Sequence, residues 1–182
     1  MDIEENHLFF IDAETDGLYG AFISVAVIVT DENCQELERK YWGVDIQPAD
    51  IKSEWVRKKV LPVMGKYEKC RDEQDLLTHV WKLWMQYQES AYAIGDVIFP
   101  VEVRLFSKCV EQNCKEREYM GPLPLIDMSS ILLAKGIDSM TERKNLVSDI
   151  DQGYEHNALY DVEIMIELWK KYMGGKMDAA DN

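Results

Sequence analysis

The sequence predicts an α/β fold, a mixed sheet with helices packed on its faces. Three observations predict it. The first quarter of the chain carries three strand-like runs, one apolar, one β-branched and one with Tyr41 and Trp42, that suit an antiparallel meander. A long amphipathic helical stripe follows over residues 72–88. From residue 91 onward, short apolar runs alternate with helical patterns, the arrangement that adds strands to a sheet covered by helices.

Residues 7–14, beginning His7-Leu8-Phe9-Phe10-Ile11, form an apolar run that predicts a buried first strand. Residues 22–30 are rich in valine and isoleucine and predict a buried second strand. Asp31, Glu32 and Asn33 supply a turn, and residues 36–44, with Tyr41 and Trp42, complete the meander. Residues 50–60 predict a short helix with Asp50 as N-cap. In the helix over 72–88, Leu76, Leu77, Val80, Leu83, Trp84 and Tyr87 share one stripe. Residues 91–94 predict a short strand, 100–114 a helix, and 124–127 a final strand. A helix over 128–135 closes on Gly136. The last helix follows His156 and carries Val162, Ile164, Met165, Ile166, Leu168 and Trp169. Trp81, Trp84 and Trp169 read as core or partner-facing aromatics. With no repeat, linker or low-complexity tract, residues 1–173 read as one domain and 174–182 as a frayed tail.

Composition narrows the function classes. No run of about 18 apolar residues exists to span a membrane. The start of the chain is acidic, without a basic flank or apolar h-region, which argues against a secretory signal and for a cytoplasmic protein. Cys34, Cys70, Cys109 and Cys114 include no Cys-x-x-Cys pair, so reduced thiols and no zinc site are expected. The 34 acidic against 20 basic residues give a net charge of −14. Such a surface repels a long polyanion but tolerates a short one held in a small cleft with divalent ions, because phosphate neutralisation supplies most nucleic-acid affinity. Arg57, Lys58 and Lys59, Lys115 and Arg117, and Arg143 and Lys144 offset the charge locally and read chiefly as solvated faces.

The chemistry-bearing segment is Asp12-Ala13-Glu14-Thr15-Asp16-Gly17-Leu18, at the end of the first strand. Residues two apart on a strand point to one face, so Asp12 and Glu14 lie side by side. Two such carboxylates repel unless a cation lies between them, and a hard divalent ion with oxygen ligands meets that need. Near the other end stands His156-Asn157-Ala158-Leu159-Tyr160-Asp161. His156 and Asp161 are a little over one turn apart at about 3.6 residues per turn. A helix that starts after His156 leaves the histidine free to lean over the site that Asp161 addresses.

These two segments resemble motifs of the DEDDh 3′→5′ exonucleases, among them ribonuclease T, oligoribonuclease and the proofreading subunit of the bacterial replicative polymerase. Asp12, Glu14, Thr15, Gly17 and Leu18 match the family's Asp-x-Glu-Thr-x-Gly-Leu, and His156, Ala158, Leu159 and Asp161 match its His-x-Ala-Leu-x-Asp. The resemblance spans nearly the whole chain and implies a ribonuclease H-like fold. The second motif departs. Where the family has Asn-x-x-Phe-Asp, this chain has Asp96-Val97-Ile98-Phe99-Pro100, so Phe99 is retained and Pro100 takes the place of the aspartate. Asp96 is the first choice for the missing acid and Glu102 the second. The third alternative is an incomplete site that binds without cutting.

The resemblance implies a nuclease in which Asp12, Glu14, Asp96 and Asp161 hold two Mg²⁺ or Mn²⁺ ions and His156 is the general base. It also implies that Thr15, Asp16, Gly17, Leu18 and Phe99 seat the terminal nucleotide. The expected activity is 3′→5′ removal of nucleoside 5′-monophosphates from short or single-stranded DNA or RNA, without a membrane partner. Small exonucleases of this kind are often dimers, so a homodimer is among the implied assemblies. Two rival readings are a catalytically impaired nucleic-acid-binding or protein-interaction module, and a hydrolase of other phosphodiesters.

Overall fold

A computed structural model describes residues 6–147 and 156–174. The expected frayed tail, beyond Gly174, lies outside them. The chain begins with β1 (His7–Thr15), β2 (Phe22–Asp31) and β3 (Glu36–Val44), followed by α1 (Glu54–Lys59) and β4 (Glu68–Cys70). Then come α2 (Glu73–Tyr87), β5 (Ala91–Gly95), α3 (Val101–Glu111), α4 (Cys114–Arg117), β6 (Leu125–Asp127), α5 (Met128–Ala134) and α6 (Ala158–Met173). The strands form one six-stranded sheet in the order β4-β3-β2-β1-β5-β6. β1, β2 and β3 are antiparallel, β5 runs parallel to β1, β6 to β5 and β4 to β3. The mixed sheet with helices on both faces is the architecture that the sequence predicts.

Helices cover both faces of the sheet, which is why β2 is apolar almost without interruption. On one face Phe9, Ile11, Val25, Val27 and Trp42 pack beneath Leu76, Val80 and Trp84 of α2 and Leu105 and Phe106 of α3. On the other, Leu8, Phe10, Ala26, Ile28 and Ile94 pack against α5 and α6. Asp12 and Glu14 continue this second row, opposite Ala26 and Ser24 of β2. The register shifts between Glu14 and Thr15, a bulge of the kind that bends a strand end and redirects its side chains. Phe22 thereby joins the first core, while Ile23 packs with Ile51, Val56, Val60 and Met64 around α1. Trp81 and Trp84 are buried and Trp169 is partly buried against the α6 core.

Two local expectations give way to packing. The cap of α1 is Ser53, whose hydroxyl accepts from the Val56 amide, and Asp50 instead ends a 3₁₀ turn over Pro48–Asp50. The reason is tertiary: Asp16 accepts hydrogen bonds from the Lys52 and Ser53 amides, and the backbone of Ile51 and Ser53 stays extended, so the helix starts later. β4 carries no strand pattern of its own. It exists because Trp42, Gly43 and Val44 of β3 pair with it.

Candidate metal and nucleotide site

The site lies where β1 and β5 end on the α6 side of the sheet. Parallel pairing sets Phe10 beside Ile94, so Asp12 and Asp96 emerge at neighbouring strand ends. β1 delivers Asp12 and Glu14 to one face, the first turn of α3 delivers Glu102, and the first turn of α6 delivers Asp161.

The start of α6 is set by Asn157. Its Oδ1 accepts from the Leu159 and Tyr160 amides, and its Nδ2 donates to the carbonyls of Val63 and Met64 at 2.7 and 3.0 Å. One residue earlier, His156 adopts a left-handed backbone with φ of 68°. Its ring meets Trp55 edge-on, with centroids 4.6 Å apart. The histidine therefore stands outside the helix, and its ring nitrogen lies with carboxylate oxygens of Glu14 and Asp161 within 4.8 Å of one another.

The electrostatics of these acids follow from burial and like charge. Burial and the Asp96 carboxylate push Asp12 up to about 7. Burial, Asp12 and Asp161 push Glu14 up to about 9. Glu102 is 3% exposed. Burial and Asp12 raise its carboxyl well above the usual range, although its own amide and that of Ala13 donate to it. Its place is made by Gly95, where a Cβ would stand 3.2 Å from Glu102 Cγ and 2.8 Å from Ile98 Cγ2.

Asp96 has a different setting. Arg143 grips it at two points, Nε to Oδ2 at 2.6 Å and Nη2 to Oδ1 at 2.9 Å, and also donates to the carbonyls of Ser139 and Thr141. Of the two candidates for the fourth acid, Glu102 sits among the buried carboxylates and Asp96 is committed to a cation.

The expected nucleotide-seating residues divide in two. Thr15 is buried and donates its hydroxyl to the Gly17 carbonyl, while Asp16 accepts from the Lys52 and Ser53 amides, which hold its carboxyl low despite an opposing effect of burial. Gly17 has φ of +72°, the turn conformation for which glycine suits. These three build the β1–β2 loop. Leu18 and Phe99 instead expose their side chains to solvent. Two residues were not anticipated: Tyr19 on the same loop and Trp55 beside His156, both exposed. A tryptophan on a short, half-exposed helix was the available signal for the second.

A divalent cation fits this donor set. The acids are oxygen ligands whose mutual repulsion a cation relieves, and among the described residues the buried Ser24 hydroxyl, cross-strand from Glu14 and near the Tyr41 hydroxyl, makes no hydrogen bond of normal length. Unpaired buried hydroxyls are costly, and a hydrated ion beside Glu14 would satisfy this one.

No family model matches the chain, and no curated protein matches its sequence. Solved structures do. The zinc-bound form of an Escherichia coli exonuclease I complex with single-stranded DNA aligns at a TM-score of 0.58 and 13% identity, covering 96% of this chain and 42% of that one. E. coli exonuclease I with a dT13 oligonucleotide gives a TM-score of 0.60 at 13% identity, over 96% and 43%. A moderately thermophilic exonuclease I from Methylocaldum szegediense gives 0.54 at 14%, over 93% and 41%. The chain thus shares the ribonuclease H-like fold of these exonucleases and spans about two-fifths of their length.

Proposed function

We propose that this chain is a DEDDh-type, metal-dependent 3′→5′ exonuclease that releases nucleoside 5′-monophosphates from short or single-stranded nucleic acid. The observation that carries the reading is the convergence of Glu14, Asp161 and His156 within 4.8 Å beside buried Asp12 and Glu102. The fold shared with exonucleases crystallised on single-stranded oligonucleotides supports it.

Asp12, Glu14, Asp161 and, in place of the second-motif aspartate, Glu102 would hold two Mg²⁺ or Mn²⁺ ions. Bound there, such ions lower the pKa of water and stabilise a leaving 3′-oxygen. His156 takes the proton from the attacking water, a task that imidazole performs near neutral pH. Its left-handed backbone and the Trp55 edge fix where the ring points. Leu18 and Phe99 offer apolar surface to the terminal base, and the Thr15–Gly17 turn holds Leu18 in place. Arg143 neutralises Asp96, which lowers the negative charge that an incoming phosphate meets.

A second reading has its own support. The net charge of −14, and Pro100 at the position of a family ligand, suit a relative that binds nucleic acid or protein without cutting. Incubation of the purified protein with an end-labelled short oligonucleotide in Mn²⁺, against an EDTA control, separates the two. Stepwise shortening from the 3′ end, lost in Asp12→Ala and Asp161→Ala, supports the exonuclease. A mobility shift without shortening supports the binder.

A further inference from the structure

A second group of metal-ligating side chains lies at the opposite side of the sheet. β4 stands three strands from β1, and its last residue, Cys70, is buried. From α2, Asp75 and His79 face it, and ligand atoms of the three lie within 4.8 Å of one another. Cys70 Sγ is 4.0 Å from His79 Nδ1, which in turn is 3.9 Å from Asp75 Oδ1. We infer that Cys70, Asp75 and His79 form a binding site for a Zn²⁺-class transition-metal ion, separate from the carboxylate site and serving to tie the edge strand β4 to α2.

The donor chemistry selects the ion. Thiolate with imidazole favours zinc-like ions over Mg²⁺ or Mn²⁺, and three protein ligands leave a fourth position for water. Metal–ligand bonds of about 2.0–2.3 Å at tetrahedral angles put donor atoms about 3.5 Å apart. Closing the Cys70–His79 and His79–Asp75 separations to that value takes about half an ångström each. The surroundings permit it. Nδ1 of His79 now donates to the Asp75 carbonyl at 2.8 Å, while Arg71 donates to Asp75 Oδ1 through its exposed side chain and to Oδ2 through its backbone amide. Binding an ion moves the imidazole proton from Nδ1 to Nε2 and releases the Cys70 thiol proton to solvent, and the Arg71 side chain swings away from Asp75 Oδ1. Trp42 packs at a tilt against the His79 ring, 5.9 Å between centroids, and holds it over Cys70. Burial first, and then the nearby Asp75, Glu68 and Asp72, favour the neutral thiol. The residues carry no Cys-x-x-Cys spacing because β4 and α2, rather than a knuckle, bring them together.

Cobalt titration of the full chain, stripped with EDTA, tests the site. A thiolate-to-Co²⁺ charge-transfer band should grow and saturate at one equivalent, be bleached by Zn²⁺ and persist in a large excess of Mg²⁺. Carboxylates cannot produce this band, so the result is independent of the exonuclease reading. C70S and H79Q should both lose it while keeping wild-type activity on the oligonucleotide in Mg²⁺. Zinc at a hundredfold excess over Kd should raise the wild-type Tm by about 5 °C, and leave that of H79Q unmoved. No band in the wild type, or a band that survives in H79Q, would overturn the proposal; H79Q decides if C70S fails to fold, because His79 is half-exposed.

Discussion

Arg143 Nη2 and Nε close a two-point ion pair on the two oxygens of Asp96, with both side chains largely buried. A carboxylate so engaged is poorly placed to give its lone pairs to a metal ion, whereas Glu102 faces acids and not a guanidinium. Asp96→Asn should therefore leave the exonuclease rate within a few-fold of wild type in saturating Mg²⁺. Glu102→Gln should reduce it by at least a hundredfold. Arg143→Ala, which strands a buried charge, should cost about 3 kcal/mol in urea unfolding. A dead Asp96→Asn enzyme beside an active Glu102→Gln one would reverse the assignment.

The raised acids make the metal-free fold sensitive to pH in a defined direction. The Asp12 carboxyl rises from 3.8 to about 7 and that of Glu14 from 4.5 to about 9 on folding. The folded state thus binds more protons than the unfolded chain, and stability falls as pH rises from about 4 through about 9. In EDTA the urea midpoint should drop from pH 5 to pH 9. Saturating Mg²⁺ should flatten the upper part of that slope, because a bound cation favours the ionised acids. A flat profile in EDTA would contradict the buried, like-charged cluster.

Gly95 leaves the space into which Glu102 reaches. A methyl there stands 2.8 Å from Ile98 Cγ2, and its contact with Glu102 Cγ at 3.2 Å requires the acid to shift. Gly95→Ala should weaken the metal dependence, with the Mg²⁺ concentration for half-maximal rate rising several-fold. It should also cost about 1–3 kcal/mol of stability. Unchanged metal dependence would mean that the Glu102 position is immaterial.

Asn157 caps α6 with its oxygen and clasps Val63 and Met64 with its nitrogen. Asn157→Asp keeps the cap and loses the clasp, whereas Asn157→Ala loses both, the cap alone being worth about 1 kcal/mol. The aspartate variant, which sets a carboxylate oxygen against two carbonyl oxygens, should lose stability despite the retained cap and lower kcat, since His156 is positioned by the preceding backbone. Equal kcat for wild type and Asn157→Asp, measured on a short oligonucleotide, would show that the clasp has no bearing on the histidine.

What could be read in the sequence followed from local chemistry. β2 announced itself because both its faces are covered, and the i, i+2 acids of β1 announced a shared face because strand geometry leaves no alternative. The features that escaped are those made by distant partners. Glu68-Lys69-Cys70 becomes a strand because β3 offers an edge, and α1 starts at Glu54 because Asp16 holds the preceding amides. The choice between Asp96 and Glu102 turns on Arg143, far along the chain, and on the missing side chain of Gly95.

The most direct test of the central claim is a crystal structure of the protein soaked with Mn²⁺ and a nucleoside 5′-monophosphate, with anomalous scattering to locate the ions. Manganese peaks should appear among Asp12, Glu14, Glu102 and Asp161, with the phosphate beside them and His156 facing it. Manganese absent from that cluster, at concentrations that support catalysis by exonucleases of this fold, would contradict it.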